Sequence, residues 1–204
     1  GAYISYRKVS KNRRLILEPS LRFQSYSSVS QQTLEPRFSG KYNVTDFLRL
    51  KAAGGYYTQN FTSTTSDKDV VNLFYGFITA PENVPETFVK PDGTERPVEN
   101  GLQKAWHAIF GTEVDISDNV SLQIEAYYKW FTQMSNINRN KIFEDTDVNS
   151  EVADVFKKDF IIESGEAWGG DVVLTYNSKK LYLWGVYSLG KVTRWDGFEY
   201  YPPV

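Results

Sequence analysis

Apolar and polar residues alternate with a period of two in stretches along nearly the whole chain, and helical spacing is hard to find outside "NSEVADVFKKDF", around Val152 to Phe160. That period belongs to strands with one apolar face. It places strands at Ala2 to Val9, Arg13 to Tyr26, Leu34 to Tyr42, Phe47 to Gln59, Leu102 to Asp115, Val120 to Gln133, Ala167 to Tyr176 and Leu181 to Val192. The connections between them fall into two alternating sets. Short ones, rich in turn formers, occur at "SKN" near Lys11, "NVTD" from Asn43, "SDN" from Ser117 and "NSKK" from Asn177. Between these lie "SSVSQQ", the polar run from Asn60 to Gly101 and the run from Ser135 to Glu166. Successive connections of an antiparallel meander lie at opposite ends of the sheet, so this alternation puts tight turns at one end and long loops at the other. Compact soluble domains rarely carry two structureless loops of this size. The expected fold is all-β: an antiparallel meander of about eight long strands forming part of a transmembrane β-barrel.

A strand crossing a membrane keeps charge off its lipid side, where Arg or Lys near the midplane costs about 2–4 kcal/mol. Leu15, Leu17, Pro19, Leu21 and Phe23 share one face, as do Leu34, Pro36 and Phe38. The sets Trp106, Ala108, Phe110 and Val114, Val120, Leu122, Ile124, Ala126 and Tyr128, and Trp168, Val172, Leu174 and Tyr176 repeat the pattern without a charge. The opposite faces carry Glu18, Arg22, Glu35, Arg37, Arg49, Lys51, Glu113, Asp115, Glu125, Lys129 and Asp171. Acids and bases mixed in this way are expected to pair across strands in a wet interior. The same alternation would fit a two-layer sandwich with a solvated outer face. The phrase Leu-Glu-Pro occurs twice, at Leu17 and Leu34; both prolines are expected toward strand ends, where a missing N–H costs least.

The chain has 204 residues and a net charge of −2 with no basic run, so nucleic acid is not an expected partner. The absence of cysteine excludes a disulfide framework, a thiolate metal site and a cysteine nucleophile. No stretch approaches the roughly 18 consecutive apolar residues of a membrane helix. Aromatic residues reach 16%, as expected of barrel girdles or of a carbohydrate-binding β-sandwich.

The single histidine, His107, falls inside a strand and no Ser/His/Asp set can be argued around it, so no catalytic residue, cofactor or metal is expected and the chain is read as a non-enzyme. Glu144, Asp145 and Asp147 are acidic enough for calcium but lack the spacing and glycine of a calcium loop. Gly54-Gly55 and Gly169-Gly170 lack the strand-to-helix setting of phosphate loops. The sequons "NVT", "NFT" and "NVS" are assigned no role. Ligand contact is expected from inward residues near the loop end of the strands, namely Arg37, Tyr57, Gln59, His107, Lys129 and Gln133.

"TLEPRFSGKYNVTDFLRLKAAGGYYTQNF" resembles a mid-barrel hairpin of TonB-dependent outer-membrane receptors. "LQKAWHAIFGTEVDISDNVSLQIEAYYKWFTQMSNI", with its Glu125-x-Tyr127-Tyr128-Lys129 run, resembles the next hairpin, and "WGGDVVLTYNSKKLYLWGVYSLGKV" the one after. The resemblance implies location in the bacterial outer membrane and energised uptake of a small nutrient: a chelated metal, a cofactor or a glycan. It also implies outer-membrane lipid around the barrel, and a plug domain and TonB energy complex as partners through an N-terminal part. No candidate plug or TonB-contacting box is present, and the chain ends at "FEYYPPV". Residues 1–204 are therefore expected to be a single segment of the later barrel, inactive alone. A soluble β-sandwich or lipocalin-like ligand-binding module is the alternative, and a complete small outer-membrane barrel a third.

Overall fold

The computed structural model describes residues 1–27, 30–63, 77–79 and 81–201. Two residues of "SSVSQQ", parts of the loop from Asn60 to Gly101 and the last three residues of "FEYYPPV" lie outside them. Ten strands form one antiparallel sheet: β1 (Ala2–Ser5), β2 (Lys8–Val9), β3 (Leu15–Tyr26), β4 (Gln31–Asn43), β5 (Leu48–Gln59), β10 (Gln103–Ser117), β11 (Val120–Ile137), β12 (Phe160–Asn177), β13 (Tyr182–Trp195) and β14 (Tyr200–Tyr201). Their order is β1-β3-β4-β5-β10-β11-β12-β13-β14, with β2 also on β3. Two hairpins, β6 (Phe61–Ser63) with β7 (Phe77–Thr79) and β8 (Thr87–Val89) with β9 (Glu95–Pro97), stand apart from this sheet. The meander is therefore present and, among the described residues, open: no pairing joins its two edges. Nor is any described helix long and apolar enough to cross a membrane.

Three of the four tight turns are held by their own polar side chains. Asn12 Oδ1 accepts from the Arg14 amide at 3.1 Å, Thr45 Oγ1 from the Leu48 amide at 3.0 Å, and Ser178 Oγ from the Leu181 amide at 3.1 Å. At the other end two of the three connections are shorter than expected. Tyr26 pairs with Gln31, which leaves only residues 27–30 between β3 and β4. The third long run shrinks to residues 138–159, because β11 continues to Ile137 and β12 already starts at Phe160. The helical spacing there yields a single turn, α1 (Asp154–Lys157), too short to be stable without the packing around it.

Both prolines lie inside their strands, not toward the ends as expected. Pro19 faces an interruption of the edge: Ser5 pairs with Ser20 and Lys8 with Leu17, and between them only the Tyr6 amide bonds to Pro19 O, at 3.0 Å. The single strand expected over Ala2 to Val9 is split there because proline offers no N–H to it. Pro36 acts in the same way on β5. Pairing of β4 with β5 stops at Arg37 with Gly55, and beyond it Glu35 reaches across the gap. Its Oε1 accepts from the Thr58 amide at 3.1 Å and the Thr58 hydroxyl at 2.7 Å, so a carboxylate replaces the missing ladder.

Burial along the strands is the reverse of that in a soluble sheet. On the apolar face Phe110 is 56%, Trp168 50% and Leu34 55% exposed, whereas Glu35 on the polar face is fully buried. The whole chain exposes 13893 Å², against about 9,700 Å² from the mass scaling of compact monomers. Among the described residues no second layer covers the apolar band, so they form no sandwich. Buried apolar residues gather instead at the loop end, where Phe88, Leu102, Phe160 and Ile162 are each under 9% exposed.

Candidate functional site

The polar face carries a row of rings and cations across β4, β5, β10 and β11. Pairing sets Arg37 beside Gly55, Gly55 beside His107 and His107 beside Lys129, with Tyr57 one step along β5. Gly55 makes the row compact, because a Cβ there would stand 2.8 Å from Arg37 Cγ and 2.8 Å from Pro36 O. The Arg37 guanidinium lies 4.3 Å from the Tyr57 ring centre, within cation–π range. Tyr57 stacks on His107 with centroids 4.5 Å apart and planes 25° apart, and Phe131 meets the imidazole edge-on at 6.3 Å.

The cations differ in how they are neutralised. Arg37 donates to Glu35 Oε2 at 2.6 Å, and Glu35 also has Arg22 at 3.9 Å. Lys129 forms no ion pair among the described residues; its ammonium lies 5.3 Å from the Tyr127 ring centre. The row thus presents a free ammonium, a neutralised guanidinium and two stacked rings. Such a surface suits a flat or hydroxyl-rich ligand carrying negative charge.

Farther along the same face the signs change. Lys41 pairs with Lys51, Lys51 with Gly111, Gly111 with Glu125 and Glu125 with Asp171, so two lysines face two carboxylates across a glycine. A cavity of about 350 Å³ lies there, with Lys41 and Lys51 on one wall and Glu125 on the other. Glu125 and Asp171 stand directly opposite each other without an ion-pair partner among the described residues, a costly arrangement for like charges. Next to the tight turns Arg49 binds Asp115 at 2.7 Å and Glu113 at 2.8 Å, and Lys51 binds Glu113 at 2.6 Å. The expected cross-strand ion pairs are therefore formed at both ends of the face, and the middle is left charged.

Of the six expected ligand residues, the fold brings together Arg37, Tyr57, His107 and Lys129. Gln59 is apart from them, its amide nitrogen bonded to Phe61 O at 2.9 Å beneath the β6–β7 hairpin. Gln133 is on the opposite face, which corrects its expected inward direction. Ala105 pairs with Phe131 but Lys104 with Gln133, so one extra residue bulges from β11 and inverts the phase beyond it. Buried there, Gln133 donates to Asn100 O at 2.6 Å and Leu102 O at 2.8 Å, pinning a loop. Glu144 and Asp145 turn away from one another to Lys141 at 3.3 Å and Lys158 at 2.9 Å, so they do not converge on a cation. Gly55, Glu35 and Phe131 were not expected in the site; a Gly-Gly pair inside a strand is the signal for Gly55, since it marks a close approach.

Known protein-family models, curated proteins and solved structures yield no match to this chain. What is established is the class of fold, an antiparallel all-β sheet, here with a bare apolar face and a charged one opposite it.

Proposed function

We propose that this chain is part of the transmembrane barrel of a TonB-dependent outer-membrane receptor, serving energised uptake of a small nutrient such as a chelated metal, a cofactor or a glycan. The observation that carries the proposal is the inverted burial, with leucine, phenylalanine and tryptophan exposed and Glu35 wholly enclosed. In water that face would drive aggregation; against lipid it is at rest. Its height agrees. From Val120 to Trp130 a strand runs about 34 Å, or about 24 Å at a tilt of roughly 45°, against an apolar band of about 25 Å. Trp106 faces Trp130 and Tyr128 faces Trp168 at one limit, while Tyr42 and Tyr176 stand near the other, as two aromatic girdles would.

Further support comes from the edge. β13 is exposed on both faces from Tyr182 to Val192 and, among the described residues, pairs outward only at Arg194 and Trp195, which leaves a long strand edge to continue the sheet. In this arrangement the row of Arg37, Tyr57, His107 and Lys129 looks into the lumen and meets the nutrient. The plug domain and the energy complex act through other parts of the protein. The test is extraction of the natural gene product. It is expected in the membrane fraction and soluble only in detergent; a monodisperse detergent-free monomer would refute the proposal. In the transport-competent protein, Lys129→Ala and His107→Ala are expected to weaken nutrient binding while leaving the amount of inserted protein unchanged.

A further inference from the structure

Beyond the aromatic limit of the apolar face, the β8–β9 hairpin folds down onto β11, β12 and β13. Trp195 Nε1 donates to Val89 O at 2.8 Å, and Arg96 donates to Gln133 Oε1 at 3.0 Å and Thr132 O at 2.8 Å. Beneath the hairpin remains a cavity of about 440 Å³ whose walls include Phe88, Lys90, Arg96, Trp130, Glu166 and Trp195. Its floor is continuous with the bare apolar band, since Trp130 pairs with Glu166 and Tyr128 with Trp168 in adjacent rows. The charges favour an anion. Arg96 forms no ion pair among the described residues, its guanidinium held 5.1 Å from the Phe88 ring centre, and the Lys90 side chain is exposed. Lys104, paired with Gln133, and Lys191, paired with Trp168, add two cations on the same face. Glu166 is the one carboxylate of the lining, and it accepts a hydrogen bond from Tyr128 Oη at 2.6 Å.

We propose that this cavity is a binding site for the phosphate-bearing headgroup of a membrane lipid, whose acyl chains lie along Trp130, Trp168 and Leu189. The proposal rests on the membrane assignment above. An oily band that ends in tryptophan and then in unpaired cations has the layering of a lipid from tail to headgroup. Arginine offers several N–H donors to phosphate oxygens, and Arg96 spends only part of its set on Gln133 and Thr132.

The test uses the natural gene product in a neutral detergent, with native mass spectrometry reading bound lipid. Phosphatidylglycerol is expected to be retained and diacylglycerol, which lacks the phosphate, to be lost. Lys90→Gln should weaken retention roughly fivefold and the double variant with Arg96→Gln about thirtyfold. Arg96 also anchors the hairpin, whereas the Lys90 side chain does not, so the single variant stands as evidence even where the double variant misfolds. Equal retention of the two lipids, or unchanged retention in Lys90→Gln, would overturn the site and leave the barrel intact. Displacement of the lipid by millimolar inorganic phosphate would assign the pocket to the free anion and overturn the lipid. A protein that is monodisperse without detergent fails before any lipid is added, and that failure belongs to the membrane assignment alone.

Discussion

Removing the carboxylate of Glu35 tests whether it replaces a stretch of ladder that Pro36 forbids. Glu35 is fully buried and accepts from the Thr58 amide at 3.1 Å, the Thr58 hydroxyl at 2.7 Å and Arg37 at 2.6 Å. The hydroxyl keeps other partners, Tyr26 at 3.1 Å and Thr33 at 2.9 Å, so Glu35→Ala orphans chiefly the Thr58 N–H and the Arg37 guanidinium. A buried orphan donor costs about 1–3 kcal/mol and a lost charged hydrogen bond about 1.5–3 kcal/mol. Arg37 is 25% exposed and recovers some hydration, and Arg22, at 3.9 Å and 40% exposed, adds little. The expected loss is therefore about 3–5 kcal/mol, as for other broken buried pairs. Glu35→Gln keeps an oxygen toward Thr58 and should lose on the order of 1–2 kcal/mol. Glu18→Ala, a half-buried carboxylate of the same face, should stay within about 0.5 kcal/mol. Urea unfolding followed by tryptophan fluorescence reads the three variants, and hydrogen exchange at the Thr58 amide reads the local event. A Glu35→Ala loss below about 1 kcal/mol, or an equal loss in Glu18→Ala, would show that the gap beside Pro36 needs no acceptor.

Two glycines give a paired prediction. A Cβ on Gly169 would meet Leu189 O and stand 2.7 Å from Tyr127 Oη, so Gly169→Ala should destabilise by about 1–3 kcal/mol. Around Gly185 nothing lies within 4 Å of such an atom, and Gly185→Ala should change the same unfolding midpoint little, within about 0.5 kcal/mol. The loops give a pH dependence. Lys141, then the Asn83 amide, holds the Asp159 carboxyl below its ordinary value of 3.8. A depressed acid stabilises above that value and loses its contribution as pH falls through the folded one. The protection factor of the Asp159 amide, which bonds to Asn83 O at 3.2 Å, should therefore fall below about pH 3.8, and Asp159→Asn should flatten that profile.

The strands were legible because their faces differ so sharply in charge: a one-residue slip would put Arg22 or Glu125 among the leucines. Where that contrast fades, so does the register. "TQMSN", after Phe131, mixes small and polar residues on both faces, so nothing in it marks the extra residue that turns Gln133 over. "FIIESGE" has isoleucine in both phases, which hid the start of β12 at Phe160. The β8–β9 hairpin had a readable turn in "KPDGTE", with Gly93 at φ 80° and Asp92 accepting from the Thr94 amide at 2.9 Å. Its position on the sheet was not readable, because that depends on Trp195, more than a hundred residues away in sequence. For the site, inward phase alone selected Arg37, Tyr57, His107 and Lys129, while Glu35 is explained only by what Pro36 does to β5.

Glycine explains why charged and aromatic side chains can share so narrow a surface. Gly55 lies between Arg37 and His107, Gly111 beside Glu125, whose Cγ would be 2.9 Å from a Cβ, and Gly169 and Gly190 each approach the Tyr127 hydroxyl. At each place a long side chain leans sideways over a bare stretch of backbone where another side chain would force it upright. The wall thereby stays low, and its chemistry is arranged in rows across strands. On β11 the cationic row through Lys129 and the mixed row through Glu125, which also carries Lys41, Lys51 and Asp171, are four residues apart, roughly 13 Å along the strand. In the proposed barrel a negatively charged ligand at the first row would gain from Lys129, and at the second it would meet Lys41 and Lys51 on β4 and β5 as well as Glu125 and Asp171 on β11 and β12.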